Sequence, residues 1–360
     1  MLPSHSENYQ ILPFFFPRGN TSTVDIISIS TICSEGLKRD SPPEDRCLAW
    51  LAMLKIYPQD PKNWNEKRDS IFSEYTSFVN EFGVSDWHKQ VFPINVESSE
   101  FNVDNKQQMD LIHRDIVRMG NQICFFPAME IPPGVEPGDQ LGPFTEHIRR
   151  LERILYIFGA INRSFGYMQG FNELLPPIYY VLIVAKSLFS NNLDIVEALA
   201  FFCIQQLLTD SDFQTFYAHE DQQLIIDRKL QEFEILLRQR LPKLSAQLVR
   251  LQIKPFCYCY KWVTLLFAQE YDLPEILILW DSIFAHFNAM VKYSFCVAIG
   301  RLEMTQEQFE NADYKKTMNL LMSPSNFRDI YKLINKSNKI YQETLKKRRF
   351  SLFPTIKMSS

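Results

Sequence analysis

The sequence predicts an all-α fold, and three observations support this prediction. Apolar residues recur at intervals of three and four along nearly every segment after residue 23, which is the spacing of one helix face. The 360 residues include only 11 glycines against 29 phenylalanines, a composition that favours long packed helices over a turn-rich sheet. Hydrophobic residues make up 46% of the chain, enough to form the core of one large domain or two average ones.

The first elements follow from local patterns. Residues 1–23 are expected to form an irregular arm. Ser41-Pro42-Pro43-Glu44 has the pattern of a capping box with proline at the first helical position, and it predicts a helix that runs to about Ile56. A second helix is predicted by an apolar stripe at Ile71, Tyr75, Phe78 and Phe82.

Prolines and glycines between Pro127 and Pro143 predict a loop. After the loop, an apolar stripe predicts a helix that ends in a turn over 162–166. From Tyr167 onward, long helices are predicted, and the last covers about 325–345. The predicted breaks lie near 190–193, 209–221, 241–243 and Leu273-Pro274.

The composition excludes several classes of function. A net charge of −4 argues against a general nucleic-acid or anionic-membrane binder. The basic run at 346–349 lies in a predicted tail, residues 346–360, which is expected to be solvated; a weak contact with acidic lipid is the alternative. The apolar stretch Leu174–Ala185 is too short to span a bilayer and is interpreted as a buried helix.

Metal and self-contained catalytic sites are also not expected. The seven cysteines are scattered without zinc-ligand spacing, and the six histidines form no ligand cluster. Free thiols of this kind favour a reducing, cytoplasmic location, and no signal peptide is expected. The chain has no glycine-rich phosphate loop with a lysine, no HExxH and no GxSxG motif. The sequence therefore contains none of these motifs of a kinase, hydrolase or metalloenzyme.

The segment from Ile112 to Arg118 carries the first candidate site. Asp104 with Gln107 predicts the start of its helix and Gly120 predicts its end. At about 100° per residue, four apolar residues share one face of this helix. They are Met109, Ile112, Ile116 and Met119.

Arg118 lies at the end of this helix, on the side away from the apolar stripe. Asp115 lies one turn earlier on the same flank, a spacing at which a carboxylate can hydrogen-bond a guanidinium and limit its rotamers. The helix end would place Arg118 at an exposed rim. Taken by itself, an arginine on a polar helix face is most simply a solubilising residue.

The second candidate site is the segment Gly166-Tyr167-Met168-Gln169-Gly170-Phe171-Asn172. Two glycines bracket Gln169 at the predicted junction of two helices, so the backbone can turn sharply and another surface can approach closely. The simpler interpretation is a helix–helix corner in which Tyr167 packs into the core.

Together, Ile-x-x-Asp-x-x-Arg followed by Tyr-x-Gln resembles the paired motif of the TBC (Tre/Bub/Cdc) domains, the Rab GTPase-activating proteins. The resemblance extends from near Cys33 to near Tyr341. Upstream it includes Gly36, Arg46-x-x-x-Trp50, Trp64 and Tyr75. Downstream it includes Lys261-Trp262, Leu265–Phe267, Gln269–Tyr271, Leu273-Pro274 and Trp280-Asp281.

The resemblance implies a V-shaped, multi-helix TBC-type domain over 24–345, with subdomains of about 24–210 and 211–345. It also implies a GTPase-activating protein that supplies two catalytic residues in trans to a GTP-bound Rab-type GTPase, and that is not a stand-alone enzyme. Arg118 would neutralise charge on the transferred phosphoryl group, and Gln169 would orient the attacking water. GTP and Mg²⁺ belong to the partner, so no cofactor is expected, and membrane association would be peripheral or through the Rab on an endomembrane.

Supporting roles follow from the same resemblance. Asp115 would orient Arg118, Tyr167 would buttress the glutamine, and Asn172 would hold the corner. The flanking positions of the two motifs complete the predicted site; they are Ile112, Gly166 and Gly170. Two features depart from the family: Met119-Gly120 stand where threonine and then proline are frequent, and the loop 127–143 lengthens the gap between the motifs. That loop would either rim the GTPase footprint or be a neutral insertion.

Two alternatives stay open from the sequence. A Rab-binding effector or scaffold could share this fold without accelerating hydrolysis, although such a protein would tolerate loss of Arg118 and Gln169. A helical scaffold unrelated to GTPases is the third hypothesis, and the absence of internal repeats and the paired motif argue against it.

Overall fold

The computed structural model describes residues 9–15, 23–89, 106–131, 134–135, 138–163, 166–217, 222–323 and 329–352. Within these ranges the regular secondary structure is helical, and no strand is present. The α-helices are α1 Leu12–Phe15, α2 Ile26–Ser34, α3 Pro43–Met53, α4 Trp64–Glu81, α5 Lys106–Val117, α6 Gly120–Ile123, α7 Thr145–Ile161, α8 Phe171–Val184, α9 Leu193–Thr209, α10 Gln222–Arg240, α11 Pro242–Arg250, α12 Cys259–Thr264, α13 Glu275–Ala285, α14 Met290–Thr305, α15 Tyr314–Met322 and α16 Ile330–Leu352. The all-α prediction is confirmed.

Most predicted breaks are confirmed as well. Helices α9, α10 and α11 begin at Leu193, Gln222 and Pro242, and α13 begins directly after Pro274. The apolar stretch predicted as a buried helix is α8, in which most side chains are buried. Of the predicted arm, residues 1–8 and 16–22 lie outside the described residues, as does Asp104.

Four local predictions are wrong. Pro42, rather than Ser41, is the N-cap of α3, and no side chain caps this helix; the Ser41 hydroxyl donates to Gln10 Oε1 at 2.8 Å. Within the predicted irregular arm, α1 forms one helical turn. Gly120 begins α6 instead of ending α5. Helix α16 continues to Leu352 and includes the basic run at 346–349, since no glycine or proline interrupts it and lysine and arginine are good helix formers.

The first group of helices packs around α7, which contacts α5, α8 and α9. A buried carboxylate on α7, Glu152, accepts hydrogen bonds from Arg149 at 2.8 Å and Trp87 Nε1 at 2.9 Å. His113 Nδ1 of α5 lies 2.8 Å from the same carboxylate. Burial alone would raise the pKa of Glu152. The contacts with Arg149 and His113 outweigh burial and hold this pKa below its ordinary value. These contacts fix α5 against α7.

The second group contains α10 to α14 and α16, with α14 packed along α16. Helix α13 also packs against α2 and α3 from the beginning of the chain. Helix α3 in turn contacts α8, so α2 and α3 lie between the two groups.

A buried ion pair holds this junction. Arg46 of α3 donates to Asp281 of α13 from Nε at 3.0 Å and from Nη2 at 3.1 Å. Trp50 Nε1 and the backbone N–H of Leu37 complete the coordination of the carboxylate, at 2.8 and 3.0 Å. Asp281 is fully buried, and its four donors come from positions more than two hundred residues earlier in the chain. The Arg46, Trp50 and Asp281 positions of the family resemblance thus meet in one cluster.

Gly36 completes the junction from the loop after α2. Its φ is +79°, and an added Cβ would lie 2.7 Å from Ile278 Cγ2 of α13. Only glycine combines this backbone conformation with so close an approach.

Among the described residues, no single helix is both long and apolar enough to cross a bilayer. One pair, Glu275–Ala285 with Phe287–Phe309, meets the length and composition criteria together but is bent by 82°.

Asp281→Asn is expected to lower the free energy of unfolding by about 3–5 kcal/mol, because the buried Arg46 guanidinium would lose its counter-ion. Denaturant-induced unfolding measures this change. Asp86→Asn is the control: it breaks a pair with Lys89 in which both side chains are 67% exposed, and little change is expected. Equal, small effects of the two substitutions would show that the buried pair does not hold the junction.

Candidate functional site

An open groove with a cavity volume of about 680 Å³ lies between the two helix groups. One wall comes from the end of α5, α6 and the start of α8, and the other comes from α12 and the segment that follows it. The first wall is formed by Asp115, Arg118, Met119, Gln122, Gln169, Gly170, Asn172 and Glu173, and the second by Tyr260, Lys261, Thr264, Leu265, Gln269 and Asp272.

Arg118 lies directly after α5, where the backbone turns. Its side chain is 68% exposed, and Nη1 lies 3.3 Å from Asp115 Oδ1. A single contact of this length biases the direction of the guanidinium without locking it. Arg118 therefore lines the groove and is still free to reach outward.

The corner between α7 and α8 presents Gln169. Gly166 has φ +61° and Gly170 has φ +114°, conformations that favour glycine at both turns. An added Cβ on Gly170 would lie 2.9 Å from Leu265 Cδ2, so this glycine also lets the second wall approach. Gln169 between them is exposed.

Asp115 connects the two segments. The residue is only 3% exposed, and Tyr167 and Asn172 pack over it. Tyr167 Oη donates to Asp115 Oδ2 at 3.0 Å. Burial and the neighbouring carboxylate raise the pKa of Tyr167, so the phenol keeps its proton and acts as the donor.

Asn172 holds the corner from the other side. Its Oδ1 accepts the backbone N–H of Gly170 at 3.0 Å. Its Nδ2 donates to the backbone carbonyl of Asp115 at 3.4 Å and to Met119 Sδ at 3.1 Å. The backbone around Gln169 is therefore tied to the end of the helix that presents Arg118.

The predicted site residues divide into two sets. Asp115, Arg118, Gln169, Gly170 and Asn172 line the groove. The other three residues do not line the groove but support those that do; they are Ile112, Gly166 and Tyr167. Ile112 is fully buried, as are its stripe neighbours Met109 and Ile116, so its contribution is to seat α5 on the core.

The sequence prediction missed a carboxylate in the groove. Glu173 accepts hydrogen bonds from Gln269 Nε2 at 2.8 Å and from Gln122 Nε2 at 3.4 Å. It thereby connects α6, α8 and the segment after α12, and burial raises its pKa. The sequence signal that could have identified Glu173 was its position one turn after Gln169, in the first turn of α8.

A second cation also faces the groove. Lys261 is 33% exposed at its side chain, and Nζ lies 3.3 Å from Glu270 Oε1. Glu270 is buried and also pairs with Arg301. Among the described residues, no group of three or more histidine, cysteine or carboxylate side chains is arranged to hold a metal ion.

Gly159 of α7 is a further residue that the sequence prediction missed. An added Cβ would lie 2.1 Å from Gln108 Nε2 of α5 and 2.9 Å from the backbone nitrogen of Tyr167. The arginine-bearing helix and the glutamine-bearing corner thus both pack on this glycine. An isolated glycine in the apolar last turns of a predicted helix was the signal that could have identified it.

Residues 137–309 match the family model described as the Rab-GTPase-TBC domain. The match covers just under half of the chain, and this segment is similar to a TBC domain. The matched residues include Gln169 and begin after Arg118. The fold of the chain is similar to the crystal structure of the Ypt/Rab-GAP domain of Gyp1p, with a TM-score of 0.71 and 18% sequence identity over 93% of this chain and 98% of that one.

Two proteins with similar sequences are informative. Human TBC1 domain family member 13 is 31% identical over 175 residues, which cover 49% of this chain and 43% of the relative. The GTPase-activating protein GYP7 of Saccharomyces cerevisiae is 23% identical over 288 residues, which cover 73% of this chain and 35% of the relative. The chain thus spans less than half the length of these relatives.

Gly159→Ala is expected to lower the free energy of unfolding by about 1–3 kcal/mol, because the methyl group would push Gln108 and the Tyr167 backbone away from α7. Thermal or denaturant unfolding measures the loss. Gly120→Ala is the matched control, since its nearest neighbour would be Leu141 Cδ2 at 3.6 Å, an ordinary contact. If both variants had wild-type stability, close packing at Gly159 would not hold the two segments together.

Proposed function

We propose that this chain accelerates GTP hydrolysis by a Rab-type small GTPase in its GTP-bound form. The observation that supports the proposal is that an exposed guanidinium, Arg118, and an exposed carboxamide, Gln169, line the same open groove. Their backbones are held by one buried network, while their side chains are free to enter a partner. The match of residues 137–309 to the Rab-GTPase-TBC family model and similarity to proteins named as GTPase-activating support the same partner class.

The chemistry fits these two groups. Charge develops on the oxygens of the transferred phosphoryl group, and a planar guanidinium can neutralise two of them in a defined geometry. The carboxamide of Gln169 can accept from the attacking water and donate to a phosphate oxygen, which fixes the line of attack. Nucleotide and Mg²⁺ are carried by the GTPase, so the chain acts only in trans and requires no cofactor of its own.

Asp115 serves as the positioning residue in this proposal. Its carboxylate is fixed by Tyr167, so the one contact to Arg118 directs the guanidinium from a rigid base. The cost of ordering the arginine side chain on binding is thereby reduced.

Arg118→Ala is expected to lower the stimulated rate of phosphate release by roughly 10³–10⁵-fold, the value of an arginine supplied in trans. Arg118→Lys is expected to lose most of the rate too, because a point charge cannot replace the planar fork. A panel of GTP-loaded Rab GTPases identifies a responsive partner for these measurements.

The matched control is Arg114→Ala. Arg114 lies one turn earlier on α5, is 57% exposed and pairs with Asp110, and it does not line the groove. Its loss is expected to leave the rate near wild type. Wild-type rates for Arg118→Ala on a responsive GTPase would overturn the role of this arginine. Binding of GTPases without any stimulation by the wild-type chain would instead support an effector function.

Gln169→Ala is expected to lower the stimulated rate by roughly 10²–10³-fold, as for loss of one preorganised polar group at the reacting centre. A GTPase whose own catalytic glutamine is replaced by leucine should still respond to the wild-type chain and not to Gln169→Ala. Gln107→Ala, an exposed glutamine near the start of α5, is the control. If the wild-type chain did not stimulate the GTPase that carries the leucine substitution, Gln169 would not be the residue that orients the water.

A further inference from the structure

Two half-exposed phenylalanines adjoin residues that line the groove. Phe125 follows α6 on the wall that carries Arg118 and is 48% exposed. Phe256 precedes α12 on the opposite wall and is 49% exposed. Large aromatic side chains left half in water on both rims of one groove are typical of a surface that a partner covers.

Phe125 belongs to an apolar surface that is continuous with the groove. Gln122 and Asp272 line the groove and also a small cleft beside Phe125. Beyond this cleft, Phe125 and Leu273 border an open hollow of about 410 Å³. The rest of the hollow is lined mainly by apolar side chains, together with three polar residues: Pro43, Tyr180, Val181, Val184, Pro274 and Leu277, with Arg39, Ser41 and Arg46.

Phe256 extends the opposite wall outward. Its ring stacks on Tyr260, with ring centroids 5.0 Å apart and an interplanar angle of 18°. Tyr260 lines the groove itself. The stack holds the exposed Phe256 ring in a fixed orientation, so little side-chain entropy would be lost when a partner covers it.

We propose that Phe125 and Phe256 are the docking anchors for the GTP-bound GTPase, an inference that rests on the proposed function. The nucleotide is carried by the partner, so Arg118 and Gln169 reach it only when the partner's surface around the nucleotide covers both rims. Buried aromatic anchors carry much of the binding free energy of such interfaces. An apolar patch of the GTPase seats on Phe125, fills the hollow beside it and meets Phe256 across the groove.

Steady-state kinetics on a responsive GTPase test the anchors. Phe125→Ala and Phe256→Ala are each expected to raise KM about tenfold or more, while kcat stays close to wild type. Unfolding measurements on both variants confirm that they are folded. Unchanged KM values would overturn the proposal.

Ile27→Ala is the matched control. Ile27 is 82% exposed, and its neighbour Ile26 borders a cavity at the Ala285 end of α13. The hollow beside Phe125 lies at the Leu273–Leu277 end of the same helix. Truncation of this more exposed side chain is expected to leave KM unchanged, and an equal rise in KM would show that the effect is not specific to the groove rims.

Two native thiols give a readout that does not depend on catalysis. Cys124 and Cys257 are exposed and adjoin Phe125 and Phe256, whereas the other cysteines are buried. Maleimide labelling, followed by mass spectrometry, is compared with and without a saturating GTPase bound to a non-hydrolysable GTP analogue. At least a tenfold protection of both thiols is expected, and a cysteine introduced by Ile27→Cys should stay reactive.

The outcomes separate this inference from the proposed function. Full reactivity of either native thiol in the complex overturns the docking anchors, even when hydrolysis is stimulated. Protection of both thiols together with the KM effects supports the anchors. Protection of both thiols by a GTPase whose hydrolysis is not accelerated overturns the proposed function and leaves the docking surface supported. A panel in which no GTPase binds overturns both.

Discussion

The arrangement of the groove depends on the hydrogen bond between the buried carboxylate of Asp115 and the hydroxyl of Tyr167. A carboxylate that is 3% exposed must find donors within the protein, and it finds one on Tyr167, beyond the whole of α7. Asn172 adds a second tie through the Asp115 backbone. Because these contacts join the end of α5 to the start of α8, the positions of Arg118 and Gln169 are fixed relative to each other.

The groove combines a rigid base with free side chains. Arg118 and Gln169 are exposed, whereas their neighbours Asp115, Gly170 and Asn172 are buried. A partner therefore meets groups whose backbones are already ordered, which lowers the entropy lost on association. The opposite wall is placed by the helix junction, where Arg46 and Asp281 set the second helix group against the first.

The sequence predicted the helices well because helix formation is mainly a matter of local periodicity. The stripe on α5 could be found from the spacing of apolar residues, and the breaks around α9, α10 and α11 from the interruptions in that spacing. Its errors occurred at the ends of elements: Pro42 rather than Ser41 is the N-cap of α3, Gly120 begins α6, and α16 continues beyond its predicted end. The burial of Asp115 beside Tyr167 could not be predicted, because it depends on a residue far along the chain.

By itself the sequence determined the helical class, the position of an arginine at a helix end and the position of a glutamine between two glycines. Only the tertiary structure decided that these residues share a groove with Glu173 and Lys261, and that Gly159 and Gly170 allow its walls to approach. The physical reason is that a period of 3.6 residues fixes which face of one helix is buried. The meeting of two faces depends on contacts between residues far apart in the chain, and no local pattern encodes their distance.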